Sequence, residues 1–134
     1  MKLFIDTNVI LDILLKLEPF FQDSYEIIQS GLQEHILCFS ASSATDIYYL
    51  LRKAIGNENA KEALSKIMQL IQCVDTQQRD ILNALASELP DFEDAVIDSV
   101  AARIKADYIV TRNTKDFSTS VVKALSPADF LKSH

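Results

Sequence analysis

Asp6 closes the apolar run Leu3-Phe4-Ile5, and Asp116 lies in the polar segment after a second such run, Tyr108-Ile109-Val110. Asp46 and Asp94 fall in the opening turns of two expected helices, one capped within Ser40 to Ser43 and one starting near Asp91. Carboxylates gathered in one crevice repel and raise one another's pKa values, an arrangement that costs stability unless a cation compensates. Their hard oxygen atoms select Mg²⁺ or Mn²⁺, one ion or two, over zinc. Such a site lowers the pKa of bound water and steadies the charge that develops when a phosphodiester is attacked, so no histidine base is needed. His35, before a strand, and His134, the last residue, stand outside the set and are expected at the solvent-exposed surface.

Taken singly, most of these acids have an ordinary explanation. Asp91 reads as a helix N-cap, and Asp94 and Asp46 each fit a capping box or a complement to the helix dipole. Asp6 differs, because a carboxylate ending a buried strand is desolvated and no basic residue is near it in sequence. A helical step of about 100° per residue places Asp91, Asp94 and Asp98 within roughly 60° of one another and turns Glu93 away. Asp98 therefore joins the candidates, as a group just outside the metal ligands.

These side chains meet only if the chain folds their elements side by side. The unbroken apolar runs at 3–5, 36–39 and 108–110 suit strands buried on both faces, with shorter strands at Cys73-Val74 and within Val121 to Leu125. Between them the apolar spacing predicts helices from Val9 to about Leu17 and from Phe20 to about Ser30, the latter capped by Gly31. A helix to about Ile55 closes at Gly56-Asn57, and one from Glu58 to Gln72 turns Ala60, Leu64, Ile67, Met68 and Ile71 inward. Further helices are expected from Asp75 or Thr76 to about Ser87, from Pro90-Asp91 to about Ala106, and after Ser126-Pro127. Strands alternating with helices predict one α/β domain over residues 1–134, a central parallel sheet flanked by helices on both faces. Its ligand crevice lies outside the carboxyl ends of the strands, where Asp6 and Asp116 fall.

Composition narrows the function. Lys+Arg 13 against Asp+Glu 19 gives a net charge of −6, which excludes binding of nucleic acid through a broad basic surface. It leaves room for a nucleic-acid enzyme whose acidic site is loaded with divalent metal. Hydrophobic residues at 49% with 2 Gly and 3 Pro exclude a disordered or low-complexity chain. No apolar run is long enough to span a membrane and the N-terminus lacks a signal-peptide pattern, so a cytoplasmic location is expected. Cys38 and Cys73 lack metal or disulfide spacing and read as buried free thiols. Arg112 and Lys115 flank the last acidic position and are the candidate phosphate contacts, whereas Arg52 and Lys53 suit a helix C-terminus. Tyr48 to Leu51 hold more apolar surface than one helix face can bury, which points to a subunit or inhibitor contact.

Phe4-Ile5-Asp6-Thr7-Asn8-Val9, Ser43-Ala44-Thr45-Asp46, Asp91-Phe92-Glu93-Asp94-Ala95 and Thr111-Arg112-Asn113-Thr114-Lys115-Asp116-Phe117, in this order, resemble the PIN domain, the fold of VapC-type toxins. The resemblance implies a Mg²⁺- or Mn²⁺-dependent endoribonuclease in which Asp6, Asp46, Asp94 and Asp116 match the acidic quartet that holds metal. It further implies that Thr7, Asn8, Thr111 and Asn113 orient those acids or the scissile phosphate, and that products carry 5′-phosphate and 3′-hydroxyl ends. A homodimer paired with a small antitoxin is implied in the same way. Asp46 departs from the family, whose second acid is usually the longer glutamate. Two other readings fit an acidic sheet edge: an aspartyl-nucleophile phosphatase, disfavoured by Asn8 two positions after Asp6, and an idle PIN-like binding scaffold.

Overall fold

In the computed structural model, which describes residues 1–134, strand β1 (Lys2–Ile5) lies at the centre of a five-stranded sheet. β2 (Ile36–Ser40) and β3 (Gln72–Val74) extend it on one side, β4 (Tyr108–Val110) and β5 (Ala124–Leu125) on the other. Every pairing is parallel, with Phe4 opposite Cys38 in one neighbour and Ile109 in the other. Helices cover both faces of the sheet, so β1 is filled by apolar side chains from Leu3 to Ile5, with Lys2 at its less buried start. Leu3 and Ile5 join Leu37, Phe39 and Val110 in one core, while Phe4 joins Cys38 and Ile109 in a second.

The first core is covered by α1 (Thr7–Leu14), α2 (Phe21–Glu34), α3 (Ala41–Ile55), α4 (Asn57–Leu70) and α7 (Pro127–Ser133). The second is covered by α5 (Gln78–Leu85) and α6 (Phe92–Arg103), whose Ala95, Val96, Val100 and Ala101 face the sheet. The expected α/β architecture, with helices on both faces of a parallel sheet, is what forms. Each fully buried Leu, Ile or Phe contributes about 1.5–3 kcal/mol to this arrangement.

Several boundaries differ from the sequence expectation, each for a local reason. Gly31 is not a cap: α2 continues to Glu34, and a Cβ at Gly31 would stand 2.8 Å from Leu37 Cδ2, so glycine lets the helix cross β2 closely. Gly56, at φ +85°, is the real glycine break, between α3 and α4. α5 is capped not by Asp75 or Thr76 but by Gln77, in a box with Asp80. Met68 is exposed rather than inward, while Ala60 and Ile67 are buried. Cys38 is buried, Cys73 half-buried, and both thiols are free. Both histidines lie outside the acidic cavity, and of the two expected at the surface one is exposed. His35 is half-buried against Phe130, and His134, exposed, stacks on Phe130 at 4.6 Å. No helix is long and apolar enough to cross a membrane.

One buried ion pair fastens α5 to α6. Arg103 reaches from α6 to the fully buried Asp80 of α5, Nη2 to Oδ2 at 3.0 Å, and Ser99 donates to Asp80 Oδ1 at 2.9 Å. Burial alone would push the Asp80 carboxyl up. The hydrogen bonds from Arg103, the Gln77 amide and Ser99 outweigh it and hold the carboxyl below the usual range.

Candidate active site

Strand order reverses around β1, the first strand yet a central one, and the crevice beyond the carboxyl ends of such strands is where open α/β sheets place ligands. A cavity of about 460 Å³ opens there. Asp6, Thr7, Asn8, Asp46, Glu93, Asp94 and Asn113 line it, with Ser42 and Ser43 from the start of α3. Leu50, Ile81 and Phe92, all exposed, form apolar parts of its wall.

Asp6 is the fixed point. It follows β1, its amide donates to Val110 O at 3.0 Å, and only 5% of the residue is exposed. As N-cap of α1 it accepts the Thr7 amide at Oδ1, 2.8 Å. Thr111 Oγ1 donates to Oδ2 at 2.7 Å, and Asn8 Nδ2 donates to the same oxygen at 3.2 Å. The Asn113 amide in turn donates to Thr111 Oγ1 at 3.1 Å, and the Arg112 amide to Asn8 Oδ1 at 3.3 Å. Thr7, Asn8, Thr111 and Asn113 are thereby drawn around one carboxylate from positions more than one hundred residues apart. Burial pushes the Asp6 carboxyl above its usual range, against the pull of the Thr111 and Thr7 hydrogen bonds. Asp91 adds to the rise, and Arg112 offsets part of it.

Asp94 stands across the cavity on α6, whose N-cap Asp91 accepts the Asp94 amide at 3.0 Å. Its carboxyl is pushed up to about 7, by burial first and then by the charges of Asp6, Asp91, Asp116 and Glu93. Glu93, expected to point away, lines the cavity instead, and its carboxyl is raised by burial, Asp46, Asp91 and Asp6. Phe92, Glu93 and Asp94 all line the cavity because it meets the first turn of α6, where consecutive side chains reach it whatever their angle on a wheel. Asp46, half-buried on α3, lines the same cavity. Asp116 is exposed on the 3₁₀ turn Thr114–Phe117 and contributes from the edge, through its repulsion of Asp94.

Two expected site residues face elsewhere. Both Asp98 oxygens are taken by backbone amides, Val121 at 2.9 Å and Val122 at 3.0 Å, and the residue lines a separate groove beside Asp80. It shares a helix face with Asp94 but sits about 6 Å further along the axis, a displacement that a wheel does not register. Arg112 is not free to meet phosphate in the acidic cavity. Its Nε lies 2.9 Å from Asp12 Oδ2 and its guanidinium 4.1 Å from the Phe20 ring centre. Lys115 is exposed, without an ionic partner. Asp12 was missed, although a lone acid inside the apolar run Val9 to Leu15 was the signal for a buried charge with a distant partner.

The donor chemistry fits a hard divalent cation: three aspartates and a glutamate share one cavity, and two of the aspartates and the glutamate are raised by burial and by other anions. No three of them already converge into a closed ligand set.

The sequence profile of the PIN domain matches residues 2–115, which takes in Asp6, Asp46 and Asp94 and stops one residue short of Asp116. No curated protein sequence matches the chain. Among solved structures it is similar to VapBC2 from Rickettsia felis bound to a DNA fragment from their promoter, at 16% identity and TM-score 0.74, covering 94% of this chain and 98% of that one. It is also similar to a toxin-antitoxin complex from Klebsiella pneumoniae, at 21% identity and TM-score 0.69, covering 95% and 98%. A third is Mycobacterium tuberculosis VapC20, described as a Sarcin-Ricin loop cleaving toxin, at 13% identity and TM-score 0.68, covering 80% and 86%. With the profile matched over most of its length, the chain belongs to the PIN domain family and has the fold of the VapC toxins.

Proposed function

We propose that the chain is a Mg²⁺- or Mn²⁺-dependent endoribonuclease, the toxin of a toxin-antitoxin pair acting in the cytoplasm. The observation that carries this reading is the Asp94 carboxyl held near 7, opposite a buried Asp6 whose orientation is set by Thr7, Asn8 and Thr111. Asp6, Asp46 and Asp94 would hold the metal, with Asp116 at the edge and Glu93 as an added carboxylate. Bound there, a divalent ion supplies acidified water and neutralisation of the phosphodiester's developing charge.

The chain's own residues do the rest. Thr111, the Thr7 amide and Asn8 occupy the inner lone pairs of Asp6 and fix the direction of the remaining ones. Asn113 presents its side chain to the same cavity and can donate to a phosphate oxygen. Near neutral pH Asp94 is poised between its two protonation states, so it can take up a proton when the cavity is empty and release it when a cation enters. Exposed Lys115 offers a cation to the RNA backbone beside the cavity. Cleavage would leave 5′-phosphate and 3′-hydroxyl ends.

The antitoxin is proposed because the similar structures include such complexes, VapBC2 and the Klebsiella pair among them, and the homodimer because α3 and α5 leave apolar side chains exposed. Tyr49 and Leu50 on α3 and Leu82 and Leu85 on α5 are all exposed and supply apolar surface for such contacts, while Tyr48 is half-buried and Leu51 buried.

The test is cleavage of a mixed pool of end-labelled RNAs with Mn²⁺, with Mg²⁺ and with EDTA, beside Asp94→Asn protein prepared identically. Cutting that needs metal and is lost in the variant is the expected result. If neither protein cuts, a Mn²⁺-induced rise in melting temperature confined to the wild type would keep the metal site and send the search to another substrate. No such rise would favour an idle scaffold, and release of inorganic phosphate from monoesters would favour the phosphatase.

A further inference from the structure

We infer that Asp12 and Arg112 are a positioning pair for the acidic cavity, locking the segment after β4 to α1 so that Thr111 and Asn8 aim Asp6. The catalytic consequence rests on the nuclease reading above, but the geometry does not. Arg112 is held by groups from three places: Asp12 of α1 at 2.9 Å, the Phe20 ring at 4.1 Å, and its own amide on Asn8 Oδ1 at 3.3 Å. Asp12 is itself held, fully buried, by the Ser24 hydroxyl at 3.3 Å. The residue before Arg112 donates its hydroxyl to Asp6, and the residue after it donates its amide to that same hydroxyl. Asp6 and Asp12 belong to one helix, as N-cap and interior residue, so the contacts close a ring: Asp6, α1, Asp12, Arg112, Thr111 and back to Asp6.

Neither of the simpler roles fits this geometry. A phosphate contact would put the guanidinium in the acidic cavity, whereas it faces a different hollow of about 350 Å³ with Pro19, Phe20, Ser126 and Pro127. A pair kept for stability alone is a poor choice at a buried site, where apolar residues of similar volume generally do as well or better. Asp12 Oδ1 and Arg112 Nε both lack a well-aligned hydrogen-bond partner, so the two meet as charges and the site is not one optimised for satisfied polar groups. What the pair does provide is position: the charge contact with Asp12 and the seat on the Phe20 ring hold the guanidinium against α1 and α2, and with it the main chain that carries Thr111 and Asn113.

The experiment compares wild type, Arg112→Lys, and the double variant Asp12→Leu with Arg112→Leu, which removes both charges together and so leaves neither one buried alone. Melting temperature, hydrogen exchange of the Arg112 and Asn113 amides against that of the Ile109 amide, Mn²⁺ affinity, and kcat and KM on RNA are measured for each. The double variant is expected to melt close to wild type while those two amides exchange about tenfold faster or more. Its kcat and Mn²⁺ affinity are expected to fall about 10–100-fold with KM shifted far less, and Arg112→Lys to recover part of the loss. Wild-type exchange and kcat in the double variant would overturn the inference and make the pair structural only. A raised KM with kcat preserved would overturn it in favour of direct substrate contact. Should the wild type neither bind Mn²⁺ nor cut RNA, the nuclease reading fails on its own, and the exchange comparison still decides the pair: unchanged protection of Arg112 and Asn113 overturns it, and selective loss sustains it.

Discussion

Asp94 is held near 7 by burial and by four other acids, against an ordinary carboxyl value of 3.8. Between those two values the folded protein binds a proton that the unfolded chain does not. Its contribution to stability is therefore complete below 3.8 and is lost as pH rises through about 7. In EDTA the wild type should lose melting temperature from pH 5 to pH 8 more steeply than Asp94→Asn, whose amide cannot ionise. Adding Mn²⁺ at pH 8 should reverse their order, because only the wild type gains a bound ligand. Thr111→Val tests the other side of the cavity with nearly the same shape and no hydroxyl. Leaving Asp6 Oδ2 short of its nearest donor should cost about 1–3 kcal/mol in urea unfolding and about 10–100-fold in cleavage rate. Asp6 was legible in the sequence because it ends a wholly apolar strand, and Asp46 and Asp94 because both lie just inside helices that follow the same sheet edge. Glu93 and Arg112 were not, since the turn entering α6 and the partner of Asp12 are decided by contacts between distant segments. No spacing along one helix reports them.

Between elements, the Asp80–Arg103 pair is the most exacting join, because Asp80 is fully buried and α5 is only 8 residues long. Arg103→Leu should destabilise the fold by about 3–5 kcal/mol, since it strands a buried carboxylate. Equilibrium unfolding would show the loss, and exchange of the α5 amides would rise first. Because Asp80 is held below its usual range, its contribution is present above 3.8 and is lost as pH falls through the folded value. The variant's acid unfolding should therefore be less steep than the wild type's. Apolar runs and cap residues located every strand and helix, but not their ends. Gly31 shows why: its spacing looked like a helix stop, while the close passage of α2 over Leu37 makes the same glycine a packing residue inside the helix.

As a whole molecule the chain carries −6 and yet is proposed to hold a polyanion. Two divalent ions in the cavity would leave −2, so retention of RNA on a filter should depend on Mn²⁺ in the wild type and be weakened in Asp94→Asn. Sedimentation should report twice the 15.0 kDa of one chain, with Leu85→Lys distinguishing a dimer seated on α5 from one seated elsewhere. The parallel sheet was readable from strand–helix alternation, and the crowding of Tyr48 to Leu51 announced that Tyr49 or Leu50 would stay outside the core; exposed Leu82 and Leu85 were not readable, because surface contacts leave no period in a sequence. The central place of β1 also has a consequence in time. Its right-hand neighbour β4 and the hydroxyl that orients Asp6 arrive more than one hundred residues later in synthesis. In synthesis the first carboxylate therefore precedes the hydroxyl that aims it by 105 residues, and the cavity cannot be assembled until β4 has been made and has paired with β1.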